Sequence, residues 1–227
     1  MFNNLKNILI GVLAAFLVIA IGAGAYSAFA LPAAATSTSS ALYGGNGNSG
    51  NGGNGGGVQI ITAIPASDLS AEEAAALLFM REEEKLARDV YNQMFALWGQ
   101  PVFQNIAASE QTHMDQIKLL LDRYGLTDPA LAPGQFTDPN LQALYNQLIA
   151  QGSVSLADAL KVGATIEQVD IADLQTRLAK TDNADIQLVY NNLMSASYNH
   201  LNAFNSTQQG GNGQSQGGRG NGYGRNH

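Results

Sequence analysis

Glu110 and His113 stand three residues apart in a run where Phe103, Ile106, Met114 and Ile117 recur at three- and four-residue steps. On a helix this spacing puts a carboxylate and an imidazole one turn apart on the face that must be buried. A titratable group on an apolar stripe is costly unless it is paired or bound to a metal ion. The pair therefore points either to a hydrogen-bonded core pair or to metal ligation. His200 lies on a similar inward face, among Leu193, Ala196, Ala203 and Phe204. Glu167 has Leu160, Gly163, Ala164, Ile171 and Leu174 around it, with Asp170 one turn on. Carboxylates with imidazoles suit iron or manganese. The absence of Cys argues against Cu(I) and structural zinc, and removes any thiol nucleophile or Cys-ligated cluster.

A further candidate ligand lies in Met80-Arg81-Glu82-Glu83-Glu84-Lys85-Leu86-Ala87-Arg88, where three carboxylates run together. Periodicity narrowly favours Glu83 as the inward one, because its neighbours Phe79, Met80, Leu86, Ala87 and Val90 are apolar, whereas Glu84 also has Arg81 and Arg88 nearby. Glu82 and Glu83 read most simply as a solvated charge run, with Glu83 as the reserve ligand. Arg81 and Arg88 read as partners for acids of their own helix. Tyr91 is either a donor to a ligand, a redox-active phenol or plain core.

These residues need long helices to hold them. Ser70 with Glu73 is a capping-box signature, and the apolar run after it continues to Trp98 before Gly99-Gln100-Pro101 stops it. Pro101 suits the first turn of a second helix, about 101–124, closed by Gly125. So short a turn makes these two antiparallel neighbours. A stretch with Pro129, Pro133 and Pro139 follows, with one short helix near 139–151 capped by Asp138. Ser155 with Asp158 opens a third long helix to about Ala179, and Asp182 opens a fourth reaching Phe204. No stretch alternates as a strand would. Two hairpins joined by one long connection predict an all-α, antiparallel four-helix bundle of the ferritin-like kind.

The rest of the chain differs in composition. Of 227 residues, all 18 acids and 8 of the 11 bases fall between Asp68 and Asp185, giving that block a net charge of −10. The acidic balance makes nucleic acid an unsuitable partner. Ile8 to Ala30 carries no charge, enough to span a bilayer as a helix, and ends in small residues suited to a signal cleavage site. Residues 1–30 are thus expected to be a signal peptide or a single N-terminal transmembrane helix. With Lys6 as the only basic flank, the remainder is expected on the extracytoplasmic side, secreted or anchored. Residues 31–66 read as a flexible Ala/Ser/Gly/Asn-rich linker, 67–206 as the bundle and 207–227 as a disordered Gly/Asn/Gln-rich tail.

Glu84-x-x-Ala87-Arg88-x-x-Tyr91 and Glu110-x-x-His113 resemble the first half of a rubrerythrin-like, ferritin-like di-iron site. The stretch from Leu69 to Phe204, with Ser109-Glu110-Gln111-Thr112-His113-Met114, Gly163-Ala164-Thr165-Ile166-Glu167 and Asn199-His200-Leu201, is similar to the ferritin-like family named domain of unknown function 2202. The resemblance implies a bundle with a dinuclear metal motif and no established reaction. It selects Glu84 over Glu83. The sequence departs from the usual pattern in its fourth helix, where Ser197 stands three residues before His200 in place of a glutamate, and Asp170 is the candidate to restore that carboxylate. The expected ligands are Glu84, Glu110, His113, Glu167, Asp170 and His200, holding two iron ions per chain, with manganese as the alternative.

The leading expectation is a dinuclear centre that oxidises iron or reduces dioxygen or peroxide. Its rival is a non-catalytic metal-binding or structural module displayed at the surface. Whether the chain is an enzyme stays open at this level. No Cys-based electron donor accompanies the bundle. The remaining partners considered are the membrane through an uncleaved N-terminal helix, a second copy in a homodimer, and proteins that engage the tail.

Overall fold

The computed structural model describes residue 61 and residues 63–213, so the expected N-terminal helix, nearly all of the linker and the last part of the tail lie outside the described residues. Within them the chain is all-helical, with five helices and no strand: α1 (Ala71–Trp98), α2 (Pro101–Arg123), α3 (Pro139–Gly152), α4 (Leu156–Leu178) and α5 (Ala184–Gly213). No helix among the described residues is long and apolar enough to cross a membrane.

The helix ends follow the local chemistry. Ser70 and Glu73 satisfy each other's backbone donors at the start of α1, the Ser70 N–H donating to Glu73 Oε2 at 2.9 Å and the Glu73 N–H to Ser70 Oγ at 3.2 Å. Gly99 ends α1 at φ 63°, a conformation costly for other residues, and Pro101 starts α2 two residues later. Asp138 caps α3 and Ser155 caps α4, each accepting a backbone N–H from the first turn. The last helix runs past the expected Phe204 to Gly213. Gln208 holds this extension by donating to the Leu160 carbonyl at 3.2 Å.

α1 and α2 form one hairpin, α4 and α5 the other. They meet through α1 on α4 and α2 on α5, while α3 packs across α1 and α4. The buried apolar side chains divide into two clusters. One holds Val90, Met94, Phe103, Ile106, Leu160 and Phe204; the other holds Met80, Ile117, Leu121, Leu174, Ile186 and Leu193. Glu82, Glu83 and Glu84 on α1, Glu110 and His113 on α2, Glu167, Asp170 and Asp173 on α4 and His200 on α5 fall between these two sets, so a polar layer is closed at both ends by apolar packing.

The segment joining α2 to α3 wraps α1, and this corrects the reading of its charge run as solvated. Arg81, Glu82, Glu83, Glu84 and Lys85 are all buried. Glu82 accepts from the Thr137 N–H and hydroxyl, both at 2.6 Å. The Lys85 ammonium donates to Asp89 at 2.7 Å and to the Gln135 carbonyl at 2.9 Å, with the Phe136 ring 4.1 Å away. Arg81 pairs not within its own helix but with Asp128, at 2.8 Å. Arg88 does pair with its neighbour Asp89, at 2.7 Å. A charge taken out of water needs such fixed partners, and the crossover supplies them.

Candidate metal centre

Each of the four long helices contributes to one buried group. α1 brings Glu84, α2 brings Glu110 and His113, α4 brings Glu167 and α5 brings His200, and all five are buried. They form two donor triads whose ligand-type atoms lie within 4.8 Å of one another: Glu84, Glu110 and His113, then Glu110, Glu167 and His200. Glu110 belongs to both. Its Oε2 is 2.7 Å from His113 Nδ1 and its Oε1 is 3.0 Å from His200 Nδ1, one oxygen toward each triad. The two imidazoles lie nearly parallel, 5.6 Å apart between ring centroids.

Glu84, not Glu83, faces His113, at 3.1 Å. Glu83 points instead to an acidic neighbour, Asp173, with Arg177 close by. α1 is enclosed on every side at this level, so both carboxylates are buried and an apolar-neighbour count cannot tell them apart. Asp170 lies outside both triads. Ser197 Oγ stands 2.5 Å from Asp170 Oδ2 and 2.9 Å from the Leu193 carbonyl, and its single proton serves one of them at a time. The residue that interrupts the expected carboxylate pattern of the fourth helix thus engages one oxygen of Asp170, Oδ2, and leaves Oδ1 without a partner.

Electrostatics in this layer are dominated by burial. It pushes the Glu84 carboxyl up to about 7 against the pull of His113, and Glu167 up to about 8 with help from the Glu110 charge. Asp170 is raised for the same reasons, burial first and then the charge of Glu84. Glu110 goes the other way: burial raises it, but the imidazoles of His113 and His200 outweigh that and hold it at about 2. Burial disfavours charge on His200, yet Glu110 and Glu167 beside it carry it up to about 9. Tyr91 donates to Glu167 Oε1 at 2.5 Å, which commits that oxygen and leaves Oε2 toward His200 at 3.4 Å. Burial and the Glu167 charge raise the phenol well above its usual value.

The donors fit a pair of cations. Glu84 Oε1, Glu110 Oε1, Asp170 Oδ1 and His200 Nδ1 are buried without a hydrogen-bond partner. An orphaned acceptor in such a place needs an explanation. His200 Nδ1 sits close to two carboxylate oxygens without hydrogen-bond alignment to either, and His113 Nδ1 faces two oxygens with one position to offer. Two ligands on one ion with bonds of about 2.1 Å stand about 3.0 Å apart in octahedral and about 3.4 Å in tetrahedral arrangement. The 2.7 to 3.4 Å separations between these imidazoles and carboxylates bracket those values.

Two features were not read from the sequence. Lys85 escaped notice, although its i,i+4 relation to Asp89 was a signal. The second buried carboxylate pair, Glu83 with Asp173, was foreshadowed only by Asp173 following Asp170 at a one-turn step.

Comparison with known proteins finds the same fold elsewhere. The chain is 50% identical over 149 residues to an uncharacterized protein, MJ0754, of Methanocaldococcus jannaschii, covering 65% of this chain and 80% of that one. The crystal structure of hypothetical protein MJ0754 from Methanococcus jannaschii superposes with a TM-score of 0.65 at 49% identity, over 66% of this chain and 86% of that chain. Residues 73–216, which hold every residue of both triads, match a family profile described as an uncharacterized protein domain, and the chain belongs to that family, DUF2202.

Proposed function

We propose that the chain is an extracytoplasmic ferritin-like protein whose four-helix bundle holds two iron ions, or manganese in their place, and oxidises iron or reduces dioxygen or peroxide. The observation that carries this reading is Glu110, whose two oxygens face two separate donor triads. A carboxylate so placed is suited to hold two ions side by side. When bound, such a pair supplies one-electron steps and Lewis acidity toward a small oxidant. The chain's own part is to fix the donors, exclude bulk water and keep protons at defined atoms: Tyr91 Oη holds one against Glu167 Oε1, and the Asp170–Ser197 pair holds another.

Five side chains in the two triads offered to two ions are a sparse set, and Asp170 can add only Oδ1, since Ser197 engages its Oδ2. Open ligand positions favour reaction over storage or a purely structural role, because structural metal sites are closed by protein donors. The charge-free run before Leu31, with Lys6 as its only basic flank, supports the extracytoplasmic address.

Metal analysis of the full chain tests the centre. About two ions per chain are expected, falling to near zero in a Glu110→Ala/His113→Ala variant. Full metal content in that variant would overturn the reading. Oxidation of bound iron by dioxygen or peroxide, followed spectroscopically, separates the oxidase from the non-catalytic metal-binding module.

A further inference from the structure

A cavity of about 20 Å³ lies against the carboxylate side of the centre. Its carboxylate floor is Glu83, Glu84, Glu110, Glu167 and Asp170, and neither His113 nor His200 lines it. The walls are apolar, with Leu141, Leu144 and Leu148 from α3 facing Leu86, Ala87, Ile166 and Val169 from α1 and α4. One water-sized molecule needs about 10–15 Å³ measured this way, so the space holds one such molecule with slack or two heavy atoms in a row.

Of the residues around it, only Leu144 and Thr165 are half-buried; every other lining side chain is buried. These two, on α3 and α4, are thus the part of the lining that reaches solvent. The Thr165 hydroxyl donates to the Lys161 carbonyl at 2.9 Å, so this edge of the lining offers no free donor to hold a polar visitor. An apolar neck above a floor of carboxylates admits small uncharged molecules, and excludes anions and anything wide.

We propose that the Leu144–Thr165 gap is the port through which the co-substrate reaches the centre, and that Leu144 on the crossover helix sets its size limit at an uncharged molecule of about two heavy atoms. This rests on the metal reading above and deepens it. α3 then acts as the selective wall of the site, held in place by the cap at Asp138 and by the tilted contact of the Tyr145 and Phe136 rings, 5.4 Å between centroids.

The test uses the full chain loaded anaerobically with Fe(II), with nitric oxide as an uncharged two-atom probe and cumene hydroperoxide as a bulky one. In Leu144→Trp, nitric oxide association is expected to slow by about tenfold at unchanged iron content and melting temperature; in Leu144→Ala, cumene hydroperoxide gains access it lacks in the parent. Thr165→Met narrows the same gap from α4 and replaces Leu144→Trp if that variant fails to fold. Unchanged nitric oxide association in a folded, iron-loaded narrowing variant overturns the port. If the parent binds no iron, the proposed function fails, and the port is still read from metal-free crystals pressurised with krypton. A krypton atom between Leu144 and Glu167, lost in the narrowing variant, supports it; krypton absent from the parent, or present in both, overturns it.

Discussion

Glu110→Ala is expected to abolish the stabilisation conferred by metal, while Glu84→Ala removes only about half of it. The asymmetry comes from geometry, since the two Glu110 oxygens stand 2.7 and 3.0 Å from two different imidazoles whereas Glu84 serves one triad. Deleting Glu110 leaves each ion a carboxylate and an imidazole; deleting Glu84 leaves the Glu167–His200 triad complete. With free metal at one hundred times its Kd, each ion stabilises by about 2.7 kcal/mol. Two ions add about 5 kcal/mol, or on the order of 10–20 °C in Tm for a domain of this size. Scanning calorimetry with and without Fe(II), or Mn(II) in air, should show a rise of that order in the parent, about half in Glu84→Ala and none in Glu110→Ala. The metal-free scans, with circular dichroism, confirm that each variant folds. A Glu110→Ala protein that folds and keeps half or more of the shift would refute the shared-ligand argument.

Tyr91→Phe should weaken only the ion held by Glu167 and His200, by about 10–100-fold, because it removes the hydrogen bond that fixes the orientation of the Glu167 carboxylate; a two-step binding isotherm resolves the affected step from the intact one. Gly163→Ala puts a Cβ 2.5 Å from the Phe204 ring, which lies 5.2 Å from Tyr91 and 5.5 Å from Phe103 between ring centroids. Overpacking costs about 1–3 kcal/mol, of which up to about 1 is recovered as helix propensity, so Tm should fall by a few degrees in calorimetry. Glu73 supplies the pH dependence. Burial raises its carboxyl, but the hydroxyls of Thr181 and Ser70 and the Ser70 N–H together hold it below its usual 4.5. A depressed carboxyl stabilises above its unfolded pKa, and that contribution is lost as pH falls through the folded value. Urea titrations at neutral and acid pH should therefore show that Glu73→Gln lowers stability at neutral pH and narrows the difference between the two conditions.

Much of the centre was legible in the sequence because α2, α4 and α5 each pair one polar stripe with apolar neighbours at three, four and seven residues. Glu110, His113, Glu167 and His200 stand out against such a background, and the caps at Ser70, Asp138 and Ser155 mark where the helices begin. α1 gave a weaker signal. Helical periodicity reports an inside only by contrast with an outside, and near Glu83 and Glu84 the helix has none. What buries Arg81, Glu82 and Lys85 comes from 47, 55 and 50 residues away, and no local pattern announces partners at that separation. Asp170 was read correctly as inward, but its engagement with Ser197 depends on how α4 meets α5, which spacing within either helix does not specify.

Arg123 donates to the carbonyls of Ile61 and Ile64, and Ile61 packs into the apolar cluster beside Leu77 and Ile186. A pull on the chain from its N-terminal side therefore enters the domain ahead of α1 and is shared with the last turn of α2 through a guanidinium clasp. Traction applied there meets the clasp before it meets the helix that carries Glu84.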